Sequence, residues 1–415
     1  MTIPTGAPGG SDRPALSRCV SVEPAKFAAA HWGKGPLLSR AAELASPGAF
    51  GDLLSPDAVD ELLSRRGLRT PFLRMAKQGA VLPSAHYTGS GGAGAEIGDQ
   101  VIDDKVMQLY ADGATLVLQG LHRFWPPIVD FARRLGTELG RPLQANAYLT
   151  PAGNKGFATH YDTHDVFVLQ VDGTKRWRVH PPVLPDPLER QAWGGRADEV
   201  GATAEGTPAL DVVLAPGDAL YLPRGWLHSA EALGERSLHL TVGVRALTRY
   251  ALVEELLGLA AEDGRMRATL PFGLDVADAD ALEPELTETV EALRDWLLTV
   301  EPAAVAERLR GRAWPSARPA PIRPLAQLEF AERLDPGDRI AVREGLRWQL
   351  ADDGPEHVVL RLVGRTLRFP AYCAVAVRTA LVGGPVRVGD LPLDDDHDRL
   401  VLGRRLLREA LVVPA

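Results

Sequence analysis

The chain has 415 residues, of which 45% are hydrophobic and 24% charged, the composition of a globular protein long enough for two or three domains. Its net charge of −8 excludes a general attraction to nucleic acid or to anionic membranes. The sequence has no long apolar run and only two cysteines, Cys19 and Cys373. We therefore expect a cytoplasmic protein with no membrane span, disulfide framework or cysteine-based zinc site.

The N-terminal region contains one clear helix signal. Residues 1–20 predict a flexible tail, since they lack the basic and apolar segments of a secretory signal. Ser55 and Pro56 are typical of the start of a helix over residues 56–66. The glycine-rich stretch at 81–96 predicts a loop, and it has neither glycine spacing used to bind phosphate.

The middle of the chain predicts a β-rich domain. A strand is expected over residues 113–119, followed by an amphipathic helix over 126–139. From about residue 144 to 244, short apolar strands alternate with Gly/Pro turns, a pattern that favours a sandwich or barrel over a parallel α/β sheet.

Beyond Tyr250 the spacing of apolar residues becomes helical, and residues 313–324 are proline-rich and predict a linker. In 325–415, predicted strands at 339–342 and 357–362 and helices at 369–381 and 399–409 suggest a winged-helix-like domain. Residues 321–415 contain 14 Arg and 14 acidic residues, so their charge balances to zero. That balance favours a protein-contact or structural role over DNA binding.

The segment that begins at His160 is a candidate metal site. If it is extended, His160 and Asp162 point to the same face, since side chains alternate along a strand. Two imidazoles and one carboxylate with open positions opposite are the ligands of non-haem Fe(II) oxygenases. His228, in a distant predicted strand, is the candidate for the second imidazole.

Three polar residues are candidates for co-substrate binding. Lys175 follows Asp162 by thirteen residues and would place an ammonium in the same cavity, where a carboxylate could neutralise it. Asn146 and Tyr148 share a strand face and would hydrogen-bond the same molecule. The alternatives are a solvated lysine, a core amide and a half-buried tyrosine.

Other histidines compete for these roles. His164 lies too far along a straight strand to be a ligand as well, because two residues span roughly 6.6 Å. It either supports the site or faces the substrate, or it is structural. His239 is expected to be a core histidine with satisfied hydrogen bonds, although it would also line the pocket. His180 precedes two prolines, and we assign it no role.

The motifs Gly156-Phe-x-x-His160-Tyr-Asp162, Gly173-x-Lys175-x-Trp177 and Gly225-Trp-x-His228 resemble those of the JmjC-type cupin family of ribosomal oxygenases. These are Fe(II)- and 2-oxoglutarate-dependent protein hydroxylases. The resemblance implies that His160, Asp162 and His228 bind the metal. It implies that Lys175 pairs with the distal carboxylate of 2-oxoglutarate and that Asn146 and Tyr148 line its pocket.

The same resemblance implies a mainly β plus α architecture. A double-stranded β-helix catalytic domain is expected over 21–248, a helical dimerisation region over 249–312, and the winged-helix-like domain over 325–415. The expected function is hydroxylation of an arginine- or histidine-type side chain of a ribosomal protein or other peptide by a homodimer. The alternatives are a non-catalytic cupin scaffold and a winged-helix regulator that uses the cupin as a ligand sensor.

Overall fold

The computed structural model describes residues 13–44, 49–94, 96–154, 157–313 and 318–415. The described chain forms two compact units, the first ending at Ala246 and the second beginning at Leu247. That division falls two residues before the predicted end of the catalytic domain. The two units are described separately below.

The predicted tail is wrong for residues 13–20, while residues 1–12 lie outside the described chain. Leu16 and Val20 are buried in the core of the first unit. The backbone N–H groups of Ala15 and Leu16 donate to the carboxylate of Glu138, at 3.0 and 2.8 Å. This segment packs because its apolar side chains cover a helix that carries Glu138.

The helices of the first unit are α1 Pro24–Ala30, α2 Pro56–Arg65, α3 Asp103–Ala111, α4 Pro126–Leu139 and α5 Ala197–Ala204. The helix predicted over 126–139 is confirmed with those bounds. Ser55 caps α2 as predicted, because its hydroxyl accepts a hydrogen bond from the backbone N–H of Ala58 at 3.1 Å. Gly140, with φ of +63°, ends α4.

The strands of the first unit are β1 Leu37–Ser39, β2 Leu73–Lys77, β3 Ala80–Val81, β4 Thr88–Gly89, β5 Gln100–Val101, β6 Thr115–Leu118, β7 Leu143–Thr150, β8 Asp165–Asp172, β9 Lys175–His180, β10 Leu210–Leu214, β11 Ala219–Leu222, β12 Leu227–Ala232 and β13 Ser237–Val244. An eight-stranded sheet has the order β1-β11-β8-β13-β7-β6-β2-β3, and a three-stranded sheet has the order β10-β9-β12. Every pairing in both sheets is antiparallel, so the predicted preference for a sandwich or barrel is confirmed.

The eight-stranded sheet has two differently packed faces. One face carries Phe167 and Leu240 and packs against the helices around Phe27 and Leu135. The opposite face, the inner face, packs through residues such as Val168 against the three-stranded sheet. Two antiparallel sheets facing each other are the layout that a double-stranded β-helix requires.

Gly173 sets the turn between β8 and β9. Its φ is +62°, and a Cβ atom there would lie 1.8 Å from the carbonyl oxygen of Arg236. A residue with a side chain is therefore excluded by both the backbone conformation and the close approach. The tight turn places Lys175 as the first residue of β9, opposite Ala232 of β12.

The second unit begins with three helices, α6 Arg249–Ala260, α7 Ala279–Leu297 and α8 Pro302–Ala313. Pro284 lies inside α7 and does not end the helix. Arg308 of α8 pairs with Glu255 of α6 at 3.1 Å. Of the predicted linker 313–324, residues 314–317 lie outside the described chain and Pro324 already begins the next helix.

The remaining elements are α9 Pro324–Glu332, β14 Arg339–Val342, β15 Trp348–Asp352, β16 His357–Leu362, β17 Arg365–Pro370, α10 Ala374–Leu381, β18 Val386–Arg387, α11 Asp396–Arg408 and β19 Val412–Pro414. The strands expected at 339–342 and 357–362 are present. The helix expected from residue 369 begins only at Ala374, because β17 occupies 365–370. The winged-helix-like assignment stays a prediction. Among the described helices, none combines the length and apolarity needed to cross a membrane.

Candidate metal centre

The segment around His160 is not the strand that the sequence predicted. Strand β8 begins only at Asp165, and the chain bends at Thr163 and His164. His160 instead forms an isolated antiparallel bridge with His228, in which the two N–H···O hydrogen bonds are 3.2 and 2.8 Å long. The site therefore forms by pairing of this segment with β12, and alternation along one strand does not produce it.

His160, Asp162 and His228 form a compact cluster. Their ligand atoms all lie within 4.8 Å of one another. The Nε2 atom of His228 is 3.7 Å from Oδ2 of Asp162, and the two imidazole centroids are 4.5 Å apart. A single ion can contact all three residues.

Both imidazoles are oriented for metal binding by backbone carbonyls. Nδ1 of His160 lies 2.7 Å from the carbonyl oxygen of Ala158, and Nδ1 of His228 lies 3.1 Å from that of Trp226. When each Nδ1–H donates to its carbonyl, each Nε2 keeps a free lone pair. This is the support that metal-binding histidines ordinarily have.

The surroundings of His228 and Asp162 favour the protonation states that bind a metal. Burial, and then the neighbouring His160, lower the pKa of His228 to about 4, so the imidazole is neutral at pH 7. Burial opposes ionisation of Asp162, but His228, His164 and His160 outweigh it and lower the pKa of that carboxyl. Two neutral imidazoles and one carboxylate are the ligand set of non-haem Fe(II) oxygenases.

Lys175 lies deep between the two sheets. Its side chain is buried, and Nζ donates to Oγ1 of Thr150 at 3.0 Å. Burial lowers its pKa from the ordinary 10.5 to about 7, and no carboxylate of the described residues pairs with it. Lys175 is therefore not a solvated surface lysine, and its site can accept an anionic group.

On the inner face, a row of cross-strand pairs leads from the level of Lys175 toward the first residues of β8. Side chains at every second position share a face, and Leu238, Leu240 and Val242 of β13 pack in the opposite core. The inner face of β7 and β13 therefore carries four pairs, which we call the polar ladder: Thr150 with Ser237, Tyr148 with His239, Asn146 with Thr241, and Gln144 with Gly243.

Asn146 and Tyr148 lie in the middle of the polar ladder. Oδ1 of Asn146 accepts a hydrogen bond from the backbone N–H of Gly120 at 3.0 Å, which leaves the amide NH2 group free to donate to a bound molecule. Burial raises the pKa of Tyr148, so its hydroxyl is protonated.

The expectation that His239 is fully satisfied is wrong. Its Nδ1 is buried and has no hydrogen-bond partner among the described residues, and the same holds for Nε1 of Trp177. The two rings are in edge contact, with centroids 5.4 Å apart. Burial, and then Lys175, hold the pKa of His239 well below its usual range. Unpaired buried polar atoms beside a lone lysine fit a cavity for a polar anion such as 2-oxoglutarate.

Trp177 was not assigned a role from the sequence. The signal that identifies it is its position two residues after Lys175, since alternate residues of β9 share a face. His164 is not part of the ligand cluster, and its Nε2 lies 3.2 Å from Nε2 of Gln144. His180 is buried at the end of β9, away from the polar ladder, and we assign it no function.

Sequence comparison finds similarity between this chain and known oxygenases. Residues 130–252 match the profile of the JmjC domain. The chain is 31% identical to chicken (Gallus gallus) ribosomal oxygenase 1 over 65% of its length, and 29% identical to rat (Rattus norvegicus) ribosomal oxygenase 2 over 72%. It is 28% identical to the bifunctional lysine-specific demethylase and histidyl-hydroxylase NO66 of Drosophila persimilis over 67% of its length. The matches span 45%, 71% and 40% of those proteins.

The fold is also that of a solved structure. The ribosomal oxygenase YcfD of Escherichia coli, in complex with cobalt and 2-oxoglutarate, superposes with a TM-score of 0.52 at 17% identity. The superposition covers 95% of this chain and 99% of YcfD.

Proposed function

We propose that the chain is a 2-oxoglutarate-dependent oxygenase of the JmjC ribosomal-oxygenase type, and that it hydroxylates a side chain of a ribosomal protein or another peptide. The observation that carries this proposal is the placement of His160, Asp162 and His228 within 4.8 Å, together with the buried Lys175 on the adjacent strand.

The residues of the site divide into metal and co-substrate ligands. His160, Asp162 and His228 would hold Fe(II), and Lys175 would pair with the distal carboxylate of 2-oxoglutarate. The free amide group of Asn146 would donate to the same molecule. Bound Fe(II) would supply the redox chemistry by which O2, 2-oxoglutarate and a C–H group of the target give the hydroxylated target, succinate and CO2. The protein fixes these ligands and encloses the reaction between two sheets.

The target class rests on the relatives. Their names specify ribosomal oxygenases and a histidyl-hydroxylase, which supports a ribosomal protein as substrate and a histidine side chain as the acceptor of oxygen. An arginine acceptor is the alternative that the sequence resemblance implies. A net charge of −8 suits a basic partner of this kind, since opposite charges accelerate encounter.

We infer that the enzyme acts as a homodimer in the cytoplasm, without binding nucleic acid. Helices α6 and α7 expose apolar side chains, including Leu252, Leu257, Leu286 and Val290, as a dimerisation surface would. The balanced charge of the C-terminal domain supports protein contact over DNA contact.

The test is oxygen transfer by the purified full chain. Fe(II), 2-oxoglutarate and O2 are supplied with ribosomal proteins from cells that lack the enzyme, and mass spectrometry searches for a gain of one oxygen. We expect one hydroxylated residue and one succinate per oxygen gained. Binding of a partner with no iron, no 2-oxoglutarate and no oxygen transfer would favour the scaffold function instead.

A further inference from the structure

The last pair of the polar ladder holds a histidine in an unusual way. His164 lies over Gly243, and a Cβ atom at residue 243 would be 2.6 Å from Cδ2 and 2.7 Å from Nε2 of the His164 ring. The ring also lies 3.2 Å, nitrogen to nitrogen, from the side-chain amide of Gln144, the residue paired with Gly243.

The backbone does not explain why residue 243 is glycine. The φ of Gly243 does not lie in the left-handed region that favours glycine. Gly243 also lies inside strand β13, where glycine lowers stability. The close approach of the His164 ring does explain it. The glycine therefore serves the placement of a side chain.

The ring keeps one hydrogen-bonding group unused. When the Gln144 amide nitrogen donates to Nε2 of His164, the N–H group of the imidazole is at Nδ1. No described residue accepts from Nδ1, and the side chain is partly exposed. A held ring with a spare donor beside a metal centre is suited to contact a bound molecule.

The position of His164 along the polar ladder indicates which bound molecule its ring would contact. The co-substrate would occupy the space from Lys175, beside Thr150, up to Asn146. Gln144 and Gly243 form the next pair, opposite Val166 near the start of β8, just after the segment that carries Asp162 and His164. That pair lies past the residues assigned to the co-substrate, so this end of the polar ladder is the place where the target side chain would meet the site.

We propose that His164 contacts the side chain to be hydroxylated, and that Gly243 and Gln144 hold it for that purpose. The inference rests on the proposed function. A donor on Nδ1 requires an acceptor on the target, which an imidazole has and a guanidinium lacks. His164 therefore selects histidine over arginine.

Arg74 adds to this selection. Its guanidinium lies 5.3 Å from the centre of the Phe157 ring, and that ring lies 6.1 Å from the His160 ring. No described carboxylate forms an ion pair with Arg74. A fixed positive charge near the metal centre opposes a second guanidinium, whereas a neutral imidazole is not repelled.

Binding of matched peptides tests the proposal without turnover. Three fluorescein-labelled basic peptides differ only in a central His, Arg or Ala, and fluorescence anisotropy measures their affinity for the full chain loaded with Mn(II) and 2-oxoglutarate without O2. We expect the wild type to prefer the His peptide. His164→Ala and Gly243→Ala should each weaken that peptide about tenfold, the loss expected for one hydrogen bond.

The controls separate contact from folding. His164→Asn keeps an amide donor and should retain most of the affinity. Gly201→Ala is the matched control for Gly243→Ala, because a Cβ atom at residue 201 would have no neighbour within 4 Å. This variant should bind the His peptide as tightly as the wild type does. The 2-oxoglutarate affinity should be equal in all variants, and Mn(II) affinity is measured for each variant so that peptide binding is compared at full metal loading.

Equal His-peptide binding by the wild type, His164→Ala and Gly243→Ala would overturn the inference, as would preference for the Arg peptide or no binding of any peptide. The proposed function is tested separately by oxygen transfer to ribosomal proteins. Hydroxylation with unchanged peptide binding in the variants sinks only this inference. A complete lack of hydroxylation sinks the proposed function and, with it, the claim that the side chain bound by His164 is the one to be hydroxylated.

Discussion

Lys175 and His228 lie on neighbouring strands of the same small sheet, with Lys175 opposite Ala232 and His228 opposite Val179. The two residues thus belong to pairs four residues apart along β9, roughly 13 Å in an extended strand. The lysine ammonium contacts Thr150 of the facing sheet, and we propose that the co-substrate spans the interval between this ammonium and the metal ligands. The proposed co-substrate site rests on this spacing.

Replacing Lys175 by alanine should raise the concentration of 2-oxoglutarate needed for half-maximal succinate formation about 10- to 100-fold, the loss of one charge-assisted hydrogen bond. Metal affinity should not change, because Lys175 does not touch the metal ligands. Lys175→Arg keeps the positive charge and serves as the control. An unchanged requirement in Lys175→Ala would place the co-substrate elsewhere.

The affinity for 2-oxoglutarate should fall as the pH rises above about 7. Burial lowers the pKa of Lys175 from 10.5 to about 7, whereas a bound dianion favours the protonated form and raises it again. Below pH 7 the free lysine already carries its proton. Above pH 7, binding must take up a proton, and affinity drops about tenfold per pH unit.

Calorimetric titration in buffers of different ionisation enthalpy measures this proton uptake. Lys175→Arg is protonated throughout and should show a flat profile between pH 6 and 9. A wild-type profile as flat as that of the arginine variant would contradict the prediction.

Trp177→Phe should weaken 2-oxoglutarate binding about tenfold, while its stability should fall only by the packing lost when a smaller ring replaces the buried indole. The Nε1–H group is buried without a partner among the described residues, so its loss removes no hydrogen bond of the free protein. Thermal unfolding and co-substrate titration measure the two effects. Loss of stability with unchanged co-substrate affinity would show that Trp177 serves packing alone.

Asp162→Ala should abolish metal binding and peptide-dependent succinate formation. The wild type should gain about 2.7 kcal/mol of unfolding free energy at a metal concentration 100 times Kd, because the ion binds only the folded protein. The variant should gain none, as measured by denaturant unfolding with and without Mn(II). Full turnover by Asp162→Ala would exclude the assigned ligands.

Local patterns predicted the elements well where one face is apolar. Helix α4 has its predicted bounds because its apolar spacing and the proline pair at its start leave little choice. The segment before β8 was assigned to the strand because alternation continues through it. Its pairing with β12, a segment far away in the chain, determines its conformation, and no local pattern contains that information.

The candidate site was predicted as residue types and only partly as contacts. His160, Asp162, His228 and Lys175 are recognisable from their motifs. Whether a buried histidine such as His239 has a hydrogen-bond partner depends on side chains from three strands. The His164 ring occupies the space that a Cβ atom at Gly243 would need. This is likewise a tertiary contact, and strand periodicity does not predict it.

A crystal structure of the protein with Mn(II) and 2-oxoglutarate, prepared without O2, tests the central claim most directly. We expect one ion bound by His160, Asp162 and His228, with the distal carboxylate of 2-oxoglutarate on Lys175 and its other end on the ion. An ion bound by other residues, or a co-substrate that does not reach Lys175, would contradict the account.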